Sequence, residues 1–167
     1  MQFKVGDSVV HPAGGVGDIV KIEERQFAEI EARLYYQIAL PRSTLWIPVE
    51  AQETIGLRPV TAKSELDQYR DLLQSAPAPR NQRHPQQGHL ELSKRLQRGS
   101  FLVMCEIVRD LTVWDWQKPL GATTKVILRQ AQEKLYQEWA TAADLTPTEA
   151  AKEIDTLLKT AHGETML

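Results

Sequence analysis

The apolar residues repeat with a period of two in the first third of the chain and with a helical period in the rest. Short β-rich segments separated by turn residues predict four or five strands over residues 1–60. Four of them are Asp7–His11, Gly15–Glu24, Ala32–Leu40 and Thr44–Ile47. The alternation is imperfect at Gly17, which predicts a bulge or a sharp bend. With turns about every ten residues, these strands predict a small antiparallel β-barrel, closed or nearly closed.

From Thr61 onward the apolar spacing predicts helices. The predicted helices are Glu65–Gln74, His89–Gln97, Ser100–Gln117, Thr124–Thr141 and a last one after Thr146. Ser64 is a candidate cap for the first helix, and Thr146-Pro147-Thr148-Glu149 has the pattern of a capping box. We therefore predict an α+β chain of two domains, with the barrel over residues 1–60 and an all-α five-helix bundle over residues 61–167.

The helix predicted at Ser100–Gln117 carries the widest apolar stripe and should be the centre of the second domain. The stripe consists of Met104, Ile107, Val108, Leu111 and Trp114. Glu106, Arg109 and Asp110 are expected on the opposite, solvated face. Asp115 falls inside the stripe, so it needs a partner or a frayed last turn.

Proline-rich, weakly apolar sequence separates the first two predicted helices. The stretch Ser75–Gly88 contains three prolines and few apolar side chains, and it is expected to be a mobile loop. The short helix after it is expected to direct Leu90, Leu92 and Leu96 inward. The tail from His162 is expected to fray.

Composition restricts the class of protein without deciding it. The 167 residues include 20 basic and 22 acidic side chains, a net charge of −2 that gives no general affinity for nucleic acid. Locally, Arg80–Arg98 holds five basic residues and only Glu91 as an acid. Cys105 is the single cysteine, and no leader or membrane-length apolar run is seen. We therefore expect a cytoplasmic protein without disulfides.

Catalytic chemistry finds little support in the sequence. The four histidines do not fall at metal-ligand spacing beside carboxylates, so neither a metal nor a cofactor is expected. The glycines at 14, 15 and 17 lack the Lys-Ser/Thr of a phosphate loop and suit a hairpin better. Cys105 is expected to be a buried, inert thiol. We predict that the protein is not an enzyme.

Two runs in the first 60 residues, FKVGDSVVHPAGGVGDIVKIEER and LWIPVEAQETIGLRPV, resemble the amino-terminal domain of the CarD family of bacterial transcription regulators. That module is Tudor-like and is shared with the polymerase-interacting domain of transcription-repair coupling factor. The resemblance continues through VRDL at Val108–Leu111 and covers nearly the whole chain.

For the first domain, the resemblance implies docking on the β subunit of RNA polymerase. Arg25 matches a family contact position, and Trp46 occupies another. Ile47 and Pro48, which directly follow Trp46, are also candidate polymerase-binding residues. An exposed tryptophan on an edge strand suits an interface centre. The alternative is that Trp46 packs inward in a small barrel.

For the second domain, the resemblance implies contact with promoter DNA at the upstream edge of the melted bubble. The candidate DNA-binding residues are Arg80, Arg83, His84, Pro85, Lys94, Arg95 and Arg98. In members of the family, a tryptophan of this domain inserts into the minor groove. The corresponding position here falls near Pro85, and no tryptophan lies between Trp46 and Trp114. Either Pro85 or His84 is a smaller wedge, or the arginines alone contact DNA. A solvated basic face without DNA binding is the remaining alternative.

The sequence therefore predicts a transcription regulator that docks on the polymerase β subunit and modulates open-complex stability. We expect a monomer that binds promoter DNA without sequence specificity, has no membrane partner, and associates with the nucleoid through polymerase. The competing hypothesis is a protein-interaction adaptor with a Tudor-like barrel and helical bundle that does not bind DNA.

Overall fold

The chain forms two compact units, Met1–Val60 and Thr61–Leu167. The structure, a computed structural model, describes residues 2–80 and 85–163. It contains one antiparallel sheet and six helices in the described residues, so the chain is of the α+β class, as the sequence predicts.

The first unit consists of a five-stranded sheet and one short helix. The strands are β1 (Ser8–His11), β2 (Gly15–Arg25), β3 (Arg33–Ala39), β4 (Thr44–Pro48) and β5 (Arg58–Pro59), and the helix is α1 (Gln52–Ile55). The first four match the predicted strands to within one residue at each end. The strand order is β4-β3-β2-β1-β5. Strands β4 and β5 therefore lie at opposite edges, and the hydrogen-bonded ladder of the described residues is not closed.

One face of the sheet holds the core of the first unit. Its buried residues are Val9, Ile19, Tyr36, Ile38, Ile47 and Leu57. Strand β2 passes close to β3 at Gly17, where a Cβ atom would lie 2.7 Å from Ile38 and 2.9 Å from the Ala39 carbonyl oxygen. The bulge expected at Gly17 occurs further along, between Ile19 and Lys21. The imperfect alternation at Gly17 therefore reflects close backbone packing, and the bulge itself follows it.

The second unit contains five helices in the described residues. They are α2 (Leu66–Gln74), α3 (Pro85–Gln97), α4 (Phe101–Gln117), α5 (Ala122–Ala143) and α6 (Pro147–His162). The capping box before α6 is confirmed, because the Thr146 hydroxyl accepts from the Glu149 N–H and the Glu149 carboxylate accepts from the Thr146 N–H. The cap predicted at Ser64 is wrong, since a 3₁₀ turn over Lys63–Glu65 leads into α2 without a side-chain cap.

Helix α4 is the central helix that the sequence predicts, with nine buried residues. Ser100 caps it by accepting a hydrogen bond from the Val103 N–H. Asp115 accepts from the Leu120 N–H at 3.0 Å, which is the partner that its place in the apolar stripe requires. The expected solvated face is wrong at two positions, because Arg109 is only 8% exposed and Asp110 only 5%.

Two other expectations for the second unit need correction. Helix α3 begins at Pro85, so the last four residues of the predicted loop are helical. On that helix Leu96 is buried as predicted, but Leu90 is 58% exposed and faces solvent. At the other end of the chain, His162 is buried, with its Nε2 atom 3.0 Å from the Leu73 carbonyl oxygen. The expected fraying is therefore wrong at His162, and residues 164–167 lie outside the described residues.

Candidate interaction surfaces

The face of the sheet opposite the core, which we call the outer face, carries two of the predicted polymerase-contact residues, Arg25 and Trp46. Strand β4 pairs with β3 so that Trp46 lies opposite Gln37 and Ile47 opposite Tyr36. Successive strand residues point to opposite faces. Ile47 joins the core at 4% exposure, so Trp46 is on the other face, where it is half-buried. The inward-packing alternative for Trp46 does not hold.

Arg25 lies directly over Trp46. Its guanidinium carbon is 4.1 Å from the centroid of the Trp46 ring, a distance at which the ring's negative face attracts the cation. The Glu23 carboxylate orients the guanidinium, accepting from the Arg25 Nε–H at 2.7 Å. This hydrogen bond lowers the pKa of Glu23. Two residues that are 21 positions apart in sequence therefore form one surface feature.

Aromatic residues that the sequence analysis did not single out extend this feature. The Phe27 ring meets Tyr35 edge-on at 5.0 Å and Trp46 at 6.2 Å, measured between centroids. Phe27 remains 37% exposed, whereas Tyr35 is buried beneath it. Glu23, Arg25 and Phe27 are spaced two residues apart, and this spacing is the signal that could have placed Phe27 on the same face as Arg25. We call Arg25, Phe27, Tyr35 and Trp46 the aromatic–arginine cluster.

Two other predicted contact residues are placed differently. The side chain of Ile47 belongs to the core and is not part of the outer face. Pro48 is half-buried, pairs with Tyr35 and leads into the short turn before α1. The outer face therefore presents Trp46, with Pro48 at its border.

Some of the predicted DNA-binding side chains of the second unit are exposed, and others already contact groups within the protein. Lys94 and Arg98 are exposed, near the end of α3 and just beyond it. Arg95 is partly buried and lies 4.0 Å from the Glu106 carboxylate. Arg80 donates hydrogen bonds to the carbonyl oxygens of Trp114 (3.4 Å) and Lys118 (2.9 Å).

Arg80 is therefore used structurally. Its guanidinium donates to the Lys118 carbonyl oxygen just beyond α4 and to the Trp114 carbonyl oxygen, which also accepts from the Lys118 N–H. Arg83 and His84, and the side chain of Pro85, lie outside the described residues. Lys94 and Arg98 are thus the predicted DNA-binding residues whose side chains the structure places in solvent.

Among the described residues, no group of three or more His, Cys, Asp or Glu side chains is placed to hold a metal ion. Cys105 is buried, and burial raises the pKa of its thiol far above the usual range. Such a thiol is a poor nucleophile at neutral pH. No helix among the described residues is long and apolar enough to cross a membrane.

Comparison with known proteins agrees with this division into a sheet unit and a helical unit. Residues 3–61 match the CarD-like/TRCF RID domain, and residues 70–155 match the CarD C-terminal domain. The chain is also 32% identical over 139 residues to "Putative transcription factor YdeB" from Bacillus subtilis (strain 168), an alignment covering 82% of this chain and 90% of that protein.

The fold and the matched domains define a two-unit protein with a CarD-type sheet unit followed by a CarD-type helical unit. The chain belongs to the CarD-like family. Membership of this family points to transcription regulation and not to catalysis.

Proposed function

We propose that the chain is a transcription regulator that docks on the β subunit of RNA polymerase through its first unit and contacts promoter DNA through its second. Membership of the RID domain family supports an interaction with polymerase in general. In this proposal the first unit has a Tudor-like, barrel-type fold, the second is a five-helix bundle, and the protein acts as a cytoplasmic, nucleoid-associated monomer without a cofactor.

The observation that carries the docking proposal is the placement of Arg25 over Trp46 on the outer face. Interface hot spots are enriched in tryptophan and arginine, and the aromatic–arginine cluster presents both, with the buried Tyr35 packed against Phe27. The Glu23 hydrogen bond holds the guanidinium before a partner arrives, which reduces the ordering cost of binding. A flat, partly apolar surface with a fixed cation suits a protein partner that offers acidic or carbonyl groups around an apolar contact.

The DNA-contact proposal depends on Lys94 and Arg98, whose side chains are exposed near the end of α3 and just beyond it. Lysine and arginine in this setting bind phosphates and read no sequence. We propose that Arg95 is a secondary contact, because it already has Glu106 as a neighbour. Arg80 is left out of the interface because its guanidinium is bound to α4.

The mechanism we propose is a shift in population. Contacts made to DNA only in the open complex lower its free energy relative to the closed complex, and polymerase docking keeps the helical unit near that DNA. Without a tryptophan at the wedge position, phosphate contacts supply the DNA affinity. The stabilisation of the open complex should therefore be modest. Replacing Pro85 with tryptophan should lengthen the open-complex lifetime if that backbone position faces the minor groove.

A direct test measures binding of the full chain to polymerase with and without forked promoter DNA, at about 0.1 M and about 0.3 M salt. The proposal predicts tighter binding with forked DNA and a larger gain at the lower salt concentration. An equal affinity with and without DNA favours the adaptor hypothesis. No binding to polymerase contradicts both the docking proposal and the mechanism that depends on it.

A further inference from the structure

Helix α4 contains a buried ion pair formed by two adjacent residues. The Arg109 Nε atom lies 2.9 Å from Asp110 Oδ1, and both side chains are less than 10% exposed. Residues at i and i+1 of a helix do not normally face each other. Their contact shows that both side chains are directed toward one structure beside the helix.

That structure is the segment Ser75–Arg80, which we call the strap. Arg109 donates to the Ser75 hydroxyl at 2.8 Å and to the Leu72 carbonyl oxygen at 3.3 Å, at the end of α2. Asp110 accepts from the Ala78 backbone N–H at 3.0 Å. Arg109 therefore binds the side chain of Ser75 in the strap, and Asp110 binds the strap backbone at Ala78.

Two further contacts continue along the same line of α4. The Trp114 indole N–H donates to the Ala78 carbonyl oxygen at 2.8 Å, and Arg80 donates to the Lys118 carbonyl oxygen at 2.9 Å. Asp110 and Trp114 are four residues apart and therefore lie on one face of α4, and Lys118 directly follows the last residue of the helix. The strap follows that face from the middle of α4 to its end.

Stability alone does not explain a pair of this kind. Replacing a buried ion pair by well-packed apolar residues is often neutral or stabilising, whereas breaking it leaves a costly unpaired charge. An apolar pair could fill this space, but it could not bind the Ser75 hydroxyl or the Ala78 N–H. The hydrogen bonds to the strap are what these two side chains supply.

We propose that Arg109 and Asp110 are positioning residues that hold the strap on α4. They thereby fix the point from which the chain runs to α3, the helix associated with Lys94 and Arg98. The functional part of this inference rests on the proposed DNA contact of α3. Arg80, the last residue of the strap, is bound separately by its own hydrogen bond to the Lys118 carbonyl oxygen.

Trypsin cleavage after Arg80 reports the strap directly, because the protease must bind a side chain that now contacts α4. Cleavage of a transiently opened segment follows the population of the open form. The double variant Ser75→Ala/Trp114→Phe removes two hydrogen bonds between the strap and α4 side chains without leaving a buried charge unpaired. It also removes the local hydrogen bond from the Ser75 hydroxyl to the Leu72 carbonyl oxygen. We expect cleavage after Arg80 to be about tenfold faster, on the scale of two lost hydrogen bonds. Mass spectrometry separates this product from cleavage after Arg83.

Asp110→Ala should have a larger effect, and circular dichroism shows whether that variant still folds. Lys159→Ala is the control, because it breaks an exposed pair with Asp155 in α6. Equal cleavage rates in the wild-type protein and the double variant would contradict the proposal that hydrogen bonds hold the strap on α4.

Binding to forked DNA tests the positioning role. The double variant should bind at least about threefold more weakly, with an unchanged salt slope because no phosphate contact is lost. Faster cleavage with unchanged DNA affinity would overturn the positioning role. If the wild-type protein does not bind DNA, the proposed DNA contact fails, and the cleavage result still decides whether the strap exists.

Discussion

The guanidinium carbon of Arg25 lies 4.1 Å from the centre of the Trp46 ring, on the face of the sheet opposite the core. The two residues come from β2 and β4, which are joined through β3 between them. Phe27 covers the edge of the same tryptophan. The sheet therefore assembles a candidate docking surface from residues that are separate in sequence.

Glu23→Gln should weaken polymerase docking by about two- to threefold while the sheet remains folded. The substitution removes the charged acceptor that orients Arg25, and a solvent-exposed interaction of this kind has only a small effect. Titration of polymerase with a fluorescently labelled chain measures the change. An unchanged affinity would mean that the guanidinium does not need Glu23 in order to dock.

Replacing Lys94 and Arg98 together with alanine should reduce the slope of log affinity against log salt by up to about two on forked DNA. Each lost phosphate contact removes close to one released counterion. Lys125→Ala/Arg129→Ala is the matched control, since it removes the same charge from exposed positions on α5. If both double variants change the slope equally, the DNA contact is not specific to the α3 region.

Protonation of His11 should destabilise the turn between β1 and β2. Its Nδ1 atom accepts hydrogen bonds from the N–H groups of Ala13 and Gly14, at 3.1 and 2.9 Å, which requires a neutral imidazole. Partial burial lowers the pKa of His11. On acidification, His11 therefore takes up a proton at a higher pH in the unfolded chain than in the folded chain. The stabilisation from these hydrogen bonds is present above about pH 6.5 and is lost as the pH falls through the folded-state pKa.

The experiment for His11 compares hydrogen exchange in the first unit at about pH 7.5 and about pH 5.5, corrected for intrinsic exchange rates. The wild-type protein should lose more protection on acidification than His11→Asn, whose side chain does not titrate in this range. An equal loss in the two proteins would exclude His11 as the titrating group.

Local signals predicted the fold well where a residue's neighbours in sequence determine its role. The capping box at Thr146 and Glu149 is one example, and the Ser100 cap is another. The alternation of Trp46 and Ile47 also follows from strand geometry, although sequence alone left open which of them faces the core. The register with Gln37 and Tyr36 decides it.

Long-range polar contacts account for the main failures. Arg109 and Asp110 are charged, so a helical period assigns them to solvent, but the strap brings them hydrogen-bond partners more than 30 positions away. The basic composition of Arg80–Arg98 predicts a DNA contact at Arg80, but composition does not reveal the Trp114 and Lys118 carbonyl oxygens to which its guanidinium donates. The apolar side chain of Leu90 predicts an inward position, yet Leu90 is exposed.

The most direct test of the account is the affinity of the full chain with Trp46→Ala for RNA polymerase and for its isolated β subunit. Removing a hot-spot tryptophan should cost about 2 kcal/mol or more, roughly a thirtyfold loss of affinity for both. Val5→Ala is the control, because Val5 is the most exposed large apolar residue described in the first unit, and it should bind as the wild type does. Unchanged binding by Trp46→Ala, with the sheet folded, would contradict docking through the aromatic–arginine cluster.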